Sequence, residues 1–206
     1  MYHLVATLGF DEKFTIRFVM RYVGRFSDLS VVTAEPMDER AAKALRSVED
    51  FITRFVGGAR VSVITVNPLN VHDSVARLKE VFKRYEEYVI NLSGGMRALI
   101  IELLLAAVLA RARGEIEIEL ENFSGVVTIP LKVFTHYLLS SDEVVVVKTL
   151  LKLGSATAKE LVKESGLPRS TLYRCLKALV GKGLVKASKV DKTNIYSPAD
   201  IAKMLA

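Results

Sequence analysis

The stretch that decides the fold is residues 88–97, YVINLSGGMR, which continues into residues 98–107, ALIIELLLAA. Its apolar start is typical of a buried strand, the Ser-Gly-Gly sequence of a tight turn, and the apolar continuation of a buried helix. The first N–H groups of a helix lack partners and carry about half a positive charge. Glycines without Cβ let a ligand approach this backbone, and Arg97 adds a guanidinium that fits phosphate. The stretch therefore predicts an anion-binding corner.

Strands and helices alternate on both sides of this corner. The predicted strands are 2–8, 29–34, 60–66, 88–92 and 115–120, with a weaker candidate at 126–129. The predicted helices are 11–22, 38–55, 71–85 and 96–113. This order favours an α/β domain, residues 1–130, with a Rossmann-like, mostly parallel sheet and helices on both faces. Ligands of such folds collect at the carboxyl ends of the strands.

Four glutamates near residue 120 alternate with apolar residues: Glu115, Glu117, Glu119 and Glu121. The alternation predicts the solvent-facing side of an edge strand, where charge discourages edge-to-edge aggregation.

The chain changes character after Pro130. Residues 131–141 are predicted to be a linker, and residues 142–206 a second domain. The pattern there is a helix at 142–153, a helix at 158–163, a turn, a helix at 169–180, and two strands at 184–189 and 194–197. Helix, helix, turn, helix and hairpin is the order of a winged helix-turn-helix.

Charge separates the two parts. Residues 131–206 contain 13 Lys and Arg against 6 Asp and Glu, a net charge of +7, whereas residues 1–130 have 16 against 17. A basic domain of this kind favours binding to the phosphates of double-stranded DNA over a purely protein-binding use of the same fold. The residues predicted to face DNA are Arg169, Ser170, Thr171, Tyr173, Arg174 and Lys177 on the third helix, with Lys189 and Lys192 on the wing.

The sequence lacks the motifs of several common metal-binding, nucleotide-binding and catalytic sites. The single cysteine, Cys175, and three scattered histidines leave no metal-binding cluster. The dinucleotide fingerprint, the P-loop and the Gly-x-Ser-x-Gly elbow are all absent. We therefore expect no cofactor, no metal and no catalytic residue. The longest apolar run, 98–110, is too short for a membrane span, so a cytoplasmic protein without a membrane partner is expected.

The sequence resembles archaeal CRISPR-associated Rossmann-fold (CARF) transcription regulators of the Csa type. The resemblance rests on TLGF at 7–10, LSGGMR at 92–97 and the winged helix. It implies a homodimer that binds a cyclic oligoadenylate, foremost cyclic tetra-adenylate, across its interface and regulates promoters at CRISPR loci. The residues it places at the ligand are Leu8, Gly9, Phe10, Ser93, Gly94, Gly95, Met96 and Arg97.

Two further segments, 36–40 and Asn67, end predicted strands on the same side of the sheet and are candidates for the same site. Phe10 is placed to stack on a base, although an aromatic residue in such a turn is as often part of the core. The sequence thus predicts a ligand-responsive DNA-binding regulator. Two alternatives stay open: a CARF-type enzyme that cleaves its cyclic ligand, and a DNA-binding dimer whose first domain only dimerises.

Overall fold

The computed structural model describes residues 1–135, 139–190 and 193–204. It divides into two units, Met1–Thr135 and His136–Ala206. The predicted linker, 131–141, spans this division, and its residues 136–138 lie outside the described residues. The domain limits of the sequence analysis stay a prediction.

The first unit contains one sheet of six strands. They are Tyr2–Thr7 (β1), Phe26–Ala34 (β2), Arg60–Val66 (β3), Tyr88–Asn91 (β4), Gly114–Glu119 (β5) and Val126–Pro130 (β6). Their order across the sheet is β3-β2-β1-β4-β5-β6. The first five pair in parallel, and β6 pairs antiparallel with β5. The mostly parallel sheet predicted from the alternation is therefore confirmed.

Helices cover both faces of this sheet. They are Lys13–Arg21 (α1), Glu39–Phe55 (α2), Val71–Lys79 (α3) with a 3₁₀ turn at Glu80–Lys83, Arg97–Leu109 (α4) and the short Lys132–Thr135 (α5). One apolar cluster joins α1 and α2 to the sheet, and a second joins α3 and α4 to its other face. Since successive strand residues face opposite sides, β1, β2, β3 and β4 contribute to both clusters, whereas β5 and β6 contribute only to the second.

The prediction that β5 forms an edge of the sheet is wrong, because β6 pairs along its outer side. The glutamates of β5 face α1 instead of solvent. Arg21 lies 2.9 Å from Glu117 and 3.1 Å from Glu119, and both carboxylates are buried. Arg17 adds a 2.6 Å ion pair to Glu119. The negative charge of this strand face is offset by the arginines of α1.

The second unit has the predicted winged helix-turn-helix order. Its elements are Ser141–Leu153 (α6), Ala156–Thr157 (β7), Ala158–Ser165 (α7), Arg169–Gly181 (α8), Val185–Val190 (β8), Thr193–Pro198 (β9) and a 3₁₀ turn at Asp200–Met204. The three strands form a small sheet in the order β7-β9-β8. Gly166 ends α7 with a left-handed φ of 70°, as its sequence position predicts. Among the described helices, none combines the length and apolarity needed to cross a membrane.

Candidate functional site

Two glycine-containing turns pack against each other at the carboxyl ends of β1 and β4. A Cβ added to Gly9, in the first turn, would stand 2.9 Å from Cα and 3.0 Å from N of Gly95, in the second. A Cβ on Gly94 would meet the carbonyl oxygen of Thr7 at 3.2 Å. Gly95 also has a φ of +93°, which residues with side chains rarely adopt. The glycines are therefore required by backbone-to-backbone contact.

Thr7, at the end of β1, links the two turns through hydrogen bonds of its side chain. Its buried hydroxyl donates to the carbonyl of Gly94 at 2.5 Å, and Asn91 O lies 3.3 Å away as a second acceptor. The last residue of β1 thus holds the turn that follows β4, which fixes the relative position of the two loops.

Ser93 secures the same turn to the neighbouring strand. Its hydroxyl accepts hydrogen bonds from the backbone N–H of Glu119 at 2.8 Å and from the side-chain amide of Asn91 at 3.0 Å. The hydroxyl keeps one hydrogen to donate. No acidic or imidazole base is among the hydrogen-bond partners of Ser93 within the described chain, so the geometry offers this hydroxyl no activation as a nucleophile.

A cavity of about 490 Å³ opens above the two turns, a volume within the range of small-molecule sites. Its lining comes from the ends of β1, β2 and β4, the starts of α1 and α2, and the loop between β5 and β6. The lining residues are Leu8, Gly9, Phe10, Asp11, Phe14, Thr33, Ala34, Pro36, Asp38, Ala41, Ser93, Gly94, Gly95, Met96 and Glu121.

The helix that begins at this cavity, α4, has no side-chain cap at its N-terminus among the described residues. Met96 is the N-cap of α4 and offers no side-chain hydrogen bond. The next helix along the rim, α2, is capped by Asp38, which accepts the N–H of Arg40 at 2.8 Å. The first amides of α4 are therefore the free donors, and they carry the partial positive charge of the helix end.

The charges of the lining oppose this anion-binding character. The described residues that line the cavity include three carboxylates, Asp11, Asp38 and Glu121, but no lysine or arginine. Two of these carboxylates are already engaged, since Asp38 caps α2 and Asp11 accepts the N–H of Lys13 at 2.9 Å. Glu121 makes no hydrogen bond or ion pair with another described residue, so its charge is uncompensated.

An arginine stands at the rim, stacked on an aromatic ring. The guanidinium carbon of Arg40 lies 4.2 Å from the centroid of Phe10, whose side chain is 55% exposed. A flat exposed ring beside a cation is a surface on which a nucleobase can stack next to a phosphate. Phe10 thus lies at the surface of the site and outside the core.

The structure brings most of the predicted ligand residues together. Seven of the nine line the cavity: Leu8, Gly9, Phe10, Ser93, Gly94, Gly95 and Met96. Arg97 begins α4 immediately after them, is exposed and does not line the cavity. Asn67 follows β3, two strands from β1, and its side chain accepts the N–H of Leu69 at 3.0 Å. A role for any of the nine in ligand binding stays a prediction.

Sequence reasoning had no signal for Glu121. The loop 120–125 reaches the cavity because Phe123 packs on α1, with its ring 5.3 Å from that of Phe14 and the guanidinium of Arg17 4.9 Å from its centroid. These contacts join residues about a hundred positions apart. Pro36 and Asp38, by contrast, belong to the segment 36–40 that was expected on this side.

The second unit presents a basic helix on its surface. Leu172, Cys175, Leu176 and Leu179 of α8 are buried. The predicted DNA-facing residues lie on the opposite side: Arg169, Ser170, Tyr173, Arg174 and Lys177 are exposed, and Thr171 is half-buried.

Most of these cations are free to meet phosphate. Among the described residues, Arg174 has a single long contact to a carboxylate, 3.7 Å from Asp142, with both side chains well exposed. Arg169 lies 5.7 Å from the ring centroid of Tyr173. On the wing, Lys189 is exposed at the end of β8, while Lys192 lies outside the described residues. The assignment of these residues to DNA contact stays a prediction.

A Rossmann-like unit with a cavity at its strand ends, followed by a winged helix-turn-helix, defines a class of two-domain regulators. Residues 2–130 match the family model of the Csa3 CRISPR-associated Rossmann-like domain, and the chain belongs to this family. Residues 135–202 match the model of TrmB, described as a sugar-specific transcriptional regulator. These matches confirm the resemblance given by the two turns and the winged helix. Together they support a DNA-binding, CRISPR-associated regulator.

The chain is similar to several solved structures. BpsR of Bordetella bronchiseptica, whose DNA binding is regulated by 6-hydroxynicotinic acid, is 18% identical over 32% of this chain and 50% of its own, with a TM-score of 0.32. The MarR family regulator NMB1585 of Neisseria meningitidis is 26% identical over 32% of this chain and 49% of its own, with a TM-score of 0.30.

Can2 of Sulfobacillus thermosulfidooxidans, solved with cyclic tetra-adenylate, is 11% identical. The match covers 100% of this chain and 63% of Can2, with a TM-score of 0.48. The chain therefore spans about half to two thirds of the length of these structures. No curated protein matches the sequence.

Proposed function

We propose that this protein is a homodimeric transcriptional regulator of CRISPR-associated genes whose Rossmann-like unit senses a cyclic oligoadenylate, foremost cyclic tetra-adenylate. One observation carries the proposal: a cavity formed by two apposed glycine turns lies at the uncapped start of α4, in a chain whose second unit is a basic winged helix-turn-helix. A cytoplasmic location, expected from the sequence, stays a prediction.

The ligand chemistry follows from the donors at the cavity. A phosphate can accept hydrogen bonds from the first amides of α4, and the exposed guanidiniums of Arg40 and Arg97 add charge at the rim. Phe10 offers a stacking surface for an adenine. The uncompensated Glu121 opposes anions, so affinity depends on the amides and the two arginines.

Calorimetry with cyclic tetra-adenylate tests this site. Arg40→Ala and Arg97→Ala are each expected to weaken binding about tenfold, because each removes a charge-assisted contact. Arg46→Ala, which removes an exposed arginine farther along α2, is the matched control. Wild-type affinity in both rim variants would contradict the assignment of the pocket.

A homodimer is supported by an apolar stripe on α4. Ile101, Leu105 and Leu109 recur every four residues and are 64%, 39% and 55% exposed. An exposed stripe of this kind is typical of a helix that packs on a partner. Since α4 begins at the cavity, two-fold packing through it brings two cavities toward one ligand with the same symmetry.

Light scattering after size exclusion tests the dimer. Leu105→Glu places a charge within the stripe, and we expect it to yield a monomer. Leu69→Glu changes an equally apolar but isolated exposed residue and serves as the control. A dimer that survives Leu105→Glu would show that association uses another surface.

DNA binding is assigned to α8 and the wing. Arg169→Ala with Arg174→Ala should weaken promoter binding and lower the slope of log affinity against log salt by up to about 2, since each phosphate contact contributes about 0.9. Fluorescence anisotropy at several salt concentrations measures both effects. Arg46→Ala with Arg54→Ala, on α2, removes the same charge elsewhere. An unchanged slope and affinity would refute the assignment.

Ligand cleavage is the other activity to separate. If the protein acts only as a regulator, chromatography should recover the cyclic ligand intact after incubation with the protein. Linear products would instead identify an enzyme.

A further inference from the structure

A second and larger cavity, of about 630 Å³, lies at the opposite end of the same sheet. Its lining comes from β1, the amino-terminal halves of β2 and β3, the end of α3 and the 3₁₀ turn that follows it. Toward the carboxyl ends, the same face carries the apolar residues Val32 and Val66 of the core. Toward the amino ends it carries Ser30 and Ser62 instead. The sequence therefore changes from apolar to polar where the cavity begins.

The floor of this second cavity is a hydrogen-bonded row of side chains. The Nε2 atom of His3 lies 2.8 Å from the hydroxyl of Ser30, which lies 3.0 Å from the hydroxyl of Ser62. His3 is buried, and its Nδ1 atom has no hydrogen-bond partner among the described residues. His3 and Ser30 are buried and Ser62 is exposed, so the row runs from the core to the open side of the cavity.

The acids of the lining already have their own cations. Asp28 pairs with Arg60 at 2.9 Å, and Glu80 pairs with Lys83 at 2.5 Å. Burial alone would raise the pKa of Asp28, but hydrogen bonds from Ser27, Arg60 and Tyr85 outweigh it and hold the pKa below its usual value. Asp28 is thus a carboxylate with satisfied oxygens and is not available to a cationic ligand.

Two arginines of the lining take no part in these ion pairs. Arg77 on α3 and Arg84 after the 3₁₀ turn line the cavity, are exposed, and make no ion pair with another described residue. Once the paired groups cancel, the lining carries these two positive charges and the serine hydroxyls. Two guanidiniums over a hydroxyl floor complement a dianion, and their planar forks fit phosphate oxygens.

We propose that this cavity is a second ligand site, which takes a small phosphate monoester with a hydroxylated body. The phosphate pairs with Arg77 and Arg84, and the body lies over Ser30 and Ser62. The cavity is larger than a phosphate ion needs and falls within the range of small-molecule sites. The site is separate from the cavity at Gly9 and Gly95, because the two occupy opposite ends of the strands.

The test uses the full chain, with ribose 5-phosphate, inorganic phosphate and succinate titrated by calorimetry at matched ionic strength. Ribose 5-phosphate is expected to bind most tightly. Arg77→Ala with Arg84→Ala should weaken it at least tenfold, and Arg46→Ala with Arg54→Ala should leave it unchanged. Binding that persists in the first variant would locate the anion elsewhere and overturn the site.

A second variant distinguishes loss of the site from loss of folding. Ser62 is exposed, so Ser62→Asp adds a negative charge to the floor without disturbing the core, and it too should abolish binding. Succinate binding as tightly as ribose 5-phosphate would overturn the phosphate assignment, and no heat with any of the three would overturn the proposal. Cyclic tetra-adenylate affinity should be unchanged in the Arg77 and Arg84 variant, so the two sites can fail independently.

Discussion

The contact between the two glycine turns makes a sharp prediction at Gly9. An alanine there would place its methyl carbon 2.9 Å from Cα of Gly95, a distance that real Cβ atoms essentially never show. Ordinary contact begins near 3.4 Å, so the turns must separate by about 0.5 Å. Both partners of this contact are backbone, and neither can turn aside as a flexible side chain would.

That separation should affect ligand binding more than folding. Overpacking of this size costs about 1–3 kcal/mol, which for a chain of this length lowers Tm by roughly 2–10 °C. A displacement of about 0.5 Å lengthens a hydrogen bond from a turn amide to phosphate out of its effective range. Losing one or two such charge-assisted bonds weakens binding about tenfold to a hundredfold.

Calorimetry with cyclic tetra-adenylate, together with a thermal melt, measures both effects in Gly9→Ala. Gly181→Ala is the control, since its methyl would meet nothing within 4 Å and the residue lies in the second unit. Wild-type affinity in a folded Gly9→Ala protein would refute the reasoning, because the ligand would then not depend on the position of the turns. An equal loss in the control would refute it as well.

Three other predictions follow from charged groups. Glu121→Gln removes the uncompensated charge at the first cavity and should tighten cyclic tetra-adenylate binding about threefold to tenfold; weaker binding would show that the carboxylate contacts the ligand. Arg21→Ala leaves Glu117 without a cation and leaves Glu119 paired only with Arg17, so the free energy of unfolding in urea should fall by about 2–3 kcal/mol. A fall below about 0.5 kcal/mol would contradict these ion pairs. Burial lowers the pKa of His3 from 6.5 to about 4 in the folded state, so the unfolded chain takes up the proton at a higher pH than the folded protein does. The free energy of unfolding should therefore fall as the pH drops from 6.5 toward 4. In His3→Asn this fall between pH 7 and 4.5 should be smaller by about 2 kcal/mol.

The elements of this fold could be predicted because their signals are local. Thr157 and Glu160 form a capping box three residues apart, and Gly166 takes its left-handed φ at the helix end where it stands in the sequence. The six strands were located by short apolar runs, and the sheet follows from their alternation with helices. Each of these signals is complete within about ten residues of chain.

The wrong prediction that β5 is an edge strand has the opposite cause. Alternating glutamates are satisfied equally well by water or by an oppositely charged helix, and the pattern itself does not choose. Arg21 of α1 reaches Glu117 across 96 positions of sequence. Only the order of the strands across the sheet puts that helix over β5, so the pairing is a consequence of topology rather than of local sequence.

The same difference between local signals and long-range contacts decides which residues of the candidate site could be predicted. The turns at Gly9 and Gly95 could be predicted as its centre because each glycine stands in a recognisable strand-to-helix turn. The position of Glu121 in the lining could not be predicted, because this residue reaches the cavity through the contact of Phe123 with α1. If the cavity binds an anion as proposed, the amides at the turns supply the donors and Glu121 the opposing charge. Affinity would then depend on a loop residue outside the motifs as well as on the motifs themselves.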